Sequence, residues 1–77
     1  MIEEHDRIIL QADCPDDGLF AGDIGTVISV HGAGAAYTVE FMTLTGNTMA
    51  VTTLPASSVR AISQNDMQQA RQLHKVA

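Results

Sequence analysis

Tyr37-Thr38-Val39-Glu40-Phe41-Met42 decides the fold. Large apolar side chains at 37, 39 and 41 alternate with Thr38 and Glu40, the period of a strand with one face on a core and one in water. Working outward from it, Gly32-Ala33-Gly34-Ala35 is a glycine-bearing hairpin loop, preceded by a strand over Gly25-Thr26-Val27-Ile28-Ser29-Val30-His31. On the other side, Thr45-Gly46-Asn47 turns the chain into a fourth strand, Thr48 to Leu54. Pro55-Ala56-Ser57-Ser58 suits a single 3₁₀ turn, since proline fixes the entry and small polar residues favour local bonds. Val59-Arg60-Ala61-Ile62 is a short fifth strand, and Asp6-Arg7-Ile8-Ile9-Leu10-Gln11 a first one with Ile8 and Leu10 on one face. Between the first two strands, Asp13-Cys14-Pro15-Asp16-Asp17-Gly18 is dense in turn formers and Gly22-Asp23 closes a long loop. Leu19 and Phe20 within it are expected to tuck onto the core, because a loop this long stays ordered only by packing.

After residue 62 the pattern changes. Ser63 stands three before Asp66, as in a capping box with Asp in place of Glu, and Met67, Ala70 and Leu73 or His74 follow at helical spacing. A short helix is expected over 65–75, with Arg71 and Lys75 near its end complementing the dipole. The whole reads as mainly β: a five-stranded SH3-like barrel over 1–62 with a 3₁₀ turn before the last strand, then a short C-terminal helix in a tail over 63–77. A closed or half-closed barrel suits a small chain because it limits exposed strand edges.

The residues also fall into ordered blocks. Asp6-Arg7-Ile8-Ile9-Leu10, Gly18-Leu19, Ala21-Gly22-Asp23-Ile24-Gly25-Thr26-Val27, Tyr37-Thr38-Val39-Glu40-Phe41, Leu54-Pro55-Ala56 and Val59-Arg60 together resemble a bacterial family of small free-standing proteins known only as a domain of unknown function. The resemblance covers roughly residues 3–62 and implies an SH3-like fold; it implies no activity. The Gly-Asp-x-Gly-Thr-Val block alone also resembles the KOW motif of ribosomal and transcription-elongation barrels. Read physically, Gly22 and Gly25 mark backbone angles or close approaches that a side chain would forbid, and Asp23 between them bonds nearby amides as an Asx turn.

Seventy-seven residues and 8.2 kDa hold one small core. The single cysteine excludes a disulfide-stapled secreted domain, and no apolar run is long enough for a membrane helix, so a soluble cytoplasmic domain is expected. Net charge is −5, unevenly spread. Residues 1–23 carry seven acids against Arg7 alone, residues 24–59 carry only Glu40, and residues 60–77 carry Arg60, Arg71 and Lys75 against Asp66. Four scattered bases form no basic stripe, which makes nucleic acid an improbable partner. The uncharged middle reads either as Thr- and Ser-faced strands or as a contact surface for another copy or another protein.

Catalytic and metal chemistry find little footing. Reactive cysteines sit near positive charge, whereas Cys14 lies among Asp13, Asp16 and Asp17. The same loop fails as a calcium site, with Pro15 at position three and Ile24 at position twelve of the EF-hand template. His5, His31 and His74 lack zinc-ligand spacing, and Gly32-Ala33-Gly34 lacks the Lys and Ser or Thr of a phosphate loop. Tyr37 and Phe41 share a face with Val39 between them, which marks core rather than a base-stacking platform. Expected, then, is a non-enzymatic protein-interaction or accessory module without cofactor or metal. Asp13, Asp16, Asp17 and Phe20 on the long loop would meet a partner with a basic surface, and a homo-oligomer through the fourth strand or the helix is a further expectation. The alternative is a KOW-like nucleic-acid-binding module.

Overall fold

A computed structural model describes residues 1–67 and 71–72. Five antiparallel strands, β1 (Arg7–Leu10), β2 (Ile24–His31), β3 (Ala36–Met42), β4 (Thr48–Pro55) and β5 (Val59–Ala61), follow the alternation within a residue or two of each expected boundary. A 3₁₀ turn over Ala56–Ser58 precedes β5, as the proline-led stretch implies, and a second one at Pro15–Asp17 sits in the long loop.

Alternation also fixes which side chains go inside. Tyr37, Val39 and Phe41 of β3 are buried with Ile8, Leu10, Leu19, Val27, Leu54 and Val59 in one apolar cluster drawn from all five strands and the loop. Tyr37 is therefore core and offers no stacking surface. Ile9, on the opposite face of β1, is also only 8 % exposed. It lies beneath the chain after β5, where Ile9, Ile24, Ile62 and Met67 line one small depression.

The sheet runs β4-β3-β2-β1-β5 and does not close by hydrogen bonding, so β4 and β5 are its two edges. Closure is thus not seen, but the sheet is strongly curved. Four inter-strand spacings would set the edges of a flat sheet about 19 Å apart. The four steps from Pro55 to Val59 reach at most about 14 Å. A bulge between Val27 and Ser29 bends β2, which pairs with β1 through Ile24–Thr26 and with β3 through Gly25–His31.

In the tail, Asp66 accepts from the Ser63 amide at 2.7 Å, the reciprocal bond of a capping box, and Ser63 Oγ accepts from Asn65 N–H at 3.3 Å. No helix follows over Asp66–Met67 or Arg71–Gln72. The other residues of the helix expected over 65–75 lie largely outside the described set. Asp66 instead grips Arg60 of β5 through two bonds, at 2.9 and 2.6 Å.

Candidate functional site

The long loop between β1 and β2 holds its shape by local chemistry. Cys14 and Leu19 exchange backbone bonds across the 3₁₀ turn, and Gly18 takes φ 71° so that its amide reaches Pro15 O at 3.0 Å. A residue with a Cβ is strained at that angle, which is why turn formers end in glycine here. Leu19 and Phe20, adjacent in an extended step, point to opposite sides. Leu19 enters the core, while Phe20 is 42 % exposed rather than tucked in.

The four loop residues singled out from sequence meet different fates. Asp13 Oδ1 accepts the Ala21 amide at 2.8 Å, so this carboxylate braces the loop. Asp16 and Asp17 stand exposed on the 3₁₀ turn, and no side-chain hydrogen bond or ion pair engages them among the described residues. Phe20 turns its ring outward beside Asp23. Asp23 bonds a nearby amide as expected, but backward rather than as an Asx turn: its Oδ2 accepts the Phe20 amide at 2.9 Å, and its own amide donates to Phe20 O at 3.0 Å.

Sequence reasoning did not anticipate what else Asp23 holds. Arg71, 48 residues away, donates from Nε to Asp23 Oδ1 at 2.8 Å and from Nη2 to Oδ2 at 2.6 Å. The same Nη2 donates to Gly18 O at 2.9 Å, and Arg71 Cζ lies 5.0 Å from the Phe20 ring centroid. Arg71 thus completes a clamp on the loop, where the sequence pattern assigned it to a helix dipole. Burial of the Asp23 carboxyl by itself raises its pKa, yet the bonds from Arg71 and the Phe20 amide outweigh that and hold it below the usual carboxylate range. Asp66 is likewise held low, chiefly by Arg60 and then by the Ser63 amide.

Asp23 and Arg71 stand at one end of a groove of about 930 Å³ between the loop and the β3–β4 turn. Its wall carries Met42, Leu44 and Met49, all exposed apolar side chains, with Glu40 alongside. Glu40 accepts the Thr48 hydroxyl at 2.5 Å. Cys14 is a half-buried free thiol, and among the described residues no three His, Cys, Asp or Glu side chains converge to hold a metal ion. Among the same residues no helix is long and apolar enough to cross a membrane.

Gly25 of the Gly-Asp-x-Gly-Thr-Val block pairs with Ile8 on one side and Phe41 on the other. A Cβ there would stand 2.5 Å from Val39 Cγ1 and 2.9 Å from Phe41 Cε1. The block is therefore a packing requirement at the centre of the sheet. In comparison with known proteins, residues 4–61, from just before β1 to the end of β5, match a family described as Domain of unknown function (DUF4926). No curated protein and no solved structure matches the chain. The match takes in most of the chain, which belongs to the DUF4926 family.

Proposed function

We propose that this protein is a non-enzymatic, cytoplasmic protein-interaction module built on an SH3-like half-open barrel. The short link from β4 to β5 and the single cluster shared by all five strands support the barrel reading. The observation that carries the function is the groove beside the long loop, with the Asp23–Arg71 ion pair at one end, Arg7 and Glu40 in its lining, and an apolar wall of Met42, Leu44 and Met49. Asp16 and Asp17, exposed and unengaged at the loop's tip, supply the field that steers a basic protein surface toward it.

Nucleic acid is poorly served by the same surface. Arg60 and Arg71 are each paired with a carboxylate, at 2.6 Å in both cases, which leaves Arg7 as the unpaired arginine among the described residues, and one base makes no stripe for a phosphate backbone. Affinity capture from nuclease-treated and untreated native-host lysate tests the reading. A protein retained after nuclease and weakened by reversing Asp16 and Asp17 to Lys supports it; material lost with nuclease refutes it in favour of the KOW-like alternative.

Self-association belongs to this proposal through the β4 edge. Ala56 N–H donates to Ala35 O, and the β3–β4 register carries that pattern so that Ala50, Thr52 and Leu54 bond inward. Met49, Val51 and Thr53 then turn their backbone groups to the open side. No charged side chain guards this edge from Thr48 to Pro55, and the bulge at Met49 and the proline at 55 confine the open run to Val51 and Thr53.

A further inference from the structure

The clamp on Arg71 has the parts of a recognition site, assembled by the loop without help from the tail. Asp23 is fixed by bonds of its backbone N–H to Phe20 O and of its backbone carbonyl to Leu10 N–H at 2.8 Å. Gly18 is fixed by its left-handed turn, so its carbonyl direction is set. Three features of a guanidinium are met at once: a planar fork by the two Asp23 oxygens, a further donor by Gly18 O, and a cationic face by the Phe20 ring. An ammonium has no fork and no plane to stack, so the arrangement separates arginine from lysine.

We propose that Asp23, the Gly18 carbonyl and the Phe20 ring form an arginine-binding site for a protein partner, which Arg71 of the chain's own tail fills in its absence. This rests on the interaction-module reading and names the chemistry of its partner: an arginine flanked by apolar residues. The occupant follows from charge and from the shape of the groove. Asp23 needs a cation, and the apolar wall of Met42, Leu44 and Met49 runs on from it. Arg71 and Gln72 are the tail residues that line this groove among the described residues, and neither is apolar. A partner segment that adds apolar contacts outcompetes it. Arg71 is 37 % exposed and reaches water on one side, while Asp23 is 17 % exposed and largely covered by it, so the arginine can leave toward solvent without the loop opening.

The test uses full-length protein and, as probe, a synthetic peptide of residues 68–77, sequence QQARQLHKVA. Amide shifts of Gly18–Asp23 are followed by NMR during titration into the millimolar range, where a single anchoring residue is expected to bind. Arg71→Ala protein is expected to show saturable shifts at these amides, with wild type binding several-fold more weakly because its own arginine is in place. The peptide carrying Arg71→Lys should bind at least about tenfold more weakly than the native one. Adding Asp23→Asn to the Arg71→Ala protein should abolish the shifts, and Arg71→Gln serves as a second emptied form that keeps the aliphatic stem. No saturable shift in either emptied form, or equal binding of the Arg and Lys peptides, overturns the site. That failure is separable from failure of the module reading, which nuclease-split capture decides without reference to arginine.

Discussion

Replacing Gly25 by alanine adds one methyl group at the point where β1, β2 and β3 meet. Apolar carbons pack at about 3.5–4.0 Å, and the new Cβ would stand 2.5 Å from Val39 Cγ1 and 2.9 Å from Phe41 Cε1. Either side chain would have to retreat by about 1 Å. Neither has room, since Val39 is 0 % and Phe41 3 % exposed and both sit in a strand paired on two sides. Overpacking of this kind costs about 1–3 kcal/mol. The opposing gain, a stiffer unfolded chain, is about 0.4–1 kcal/mol. A net loss of about 1–2 kcal/mol lowers the melting temperature of a domain this size by roughly 4–16 °C. Calorimetry on Gly25→Ala measures it, and Val39→Ala completes the cycle. The double variant should be more stable than the summed single effects by about 1 kcal/mol, because the shortened Val39 leaves space for the new methyl. An unchanged or raised melting temperature for Gly25→Ala, or strict additivity in the cycle, would refute the packing explanation of this glycine.

Three further outcomes follow from the same geometry. Asp23 and Asp66 have lowered folded-state pKa values, so their stabilising effect is complete above the unfolded value of 3.8 and is lost as pH falls through the lower folded value. Phe20 and Arg71 side-chain NMR signals should therefore stay constant from neutral pH down to about 4 and change only below it; a change centred between pH 5 and 7 contradicts the assignment. At high protein concentration, sedimentation should give the mass of two chains and hydrogen exchange should slow at Val51 and Thr53. Thr53→Pro, which removes an outward N–H without breaking a β3 bond, should restore one-chain mass, and one-chain mass for wild type throughout would remove the β4 edge as a contact. Ala33 holds φ 56° in the β2–β3 hairpin, so Ala33→Asn should raise stability by roughly 0.5–1 kcal/mol, because Asn tolerates the left-handed region; thermal melts showing a loss would contradict this.

What was legible from sequence is what depends on near neighbours. Alternation over Tyr37–Met42 places Tyr37, Val39 and Phe41 inside correctly, because a strand's faces are set by its own period. That Asp23 bonds a nearby backbone amide, and the Ser63–Asp66 bond, were legible for the same reason, each spanning three residues. Sheet curvature was only partly so: a period of two names the faces and leaves closure to the short β4–β5 link. Ile9 was missed as a covered side chain because its cover, Ile62 to Met67, comes from the far end of the chain. Arg71 on Asp23 lay beyond reach, with 48 residues between them and no local pattern linking a tail arginine to a loop acid. Asp13 shows the reverse: its turn-rich setting suggested a contact role, while its carboxylate spans the loop to Ala21.

The most direct measurement of the interaction surface is site-specific photocrosslinking in nuclease-treated lysate. Benzoylphenylalanine replaces Leu44, 80 % exposed on the groove wall, in wild-type and Arg71→Ala protein, with Ser57, outside the groove, as the control position. The expected result is a discrete protein adduct from position 44 alone, stronger when Arg71 is absent and lost when Asp23→Asn is added. No adduct from position 44, or the same adducts from both positions regardless of Asp23, would contradict a partner seated in this groove.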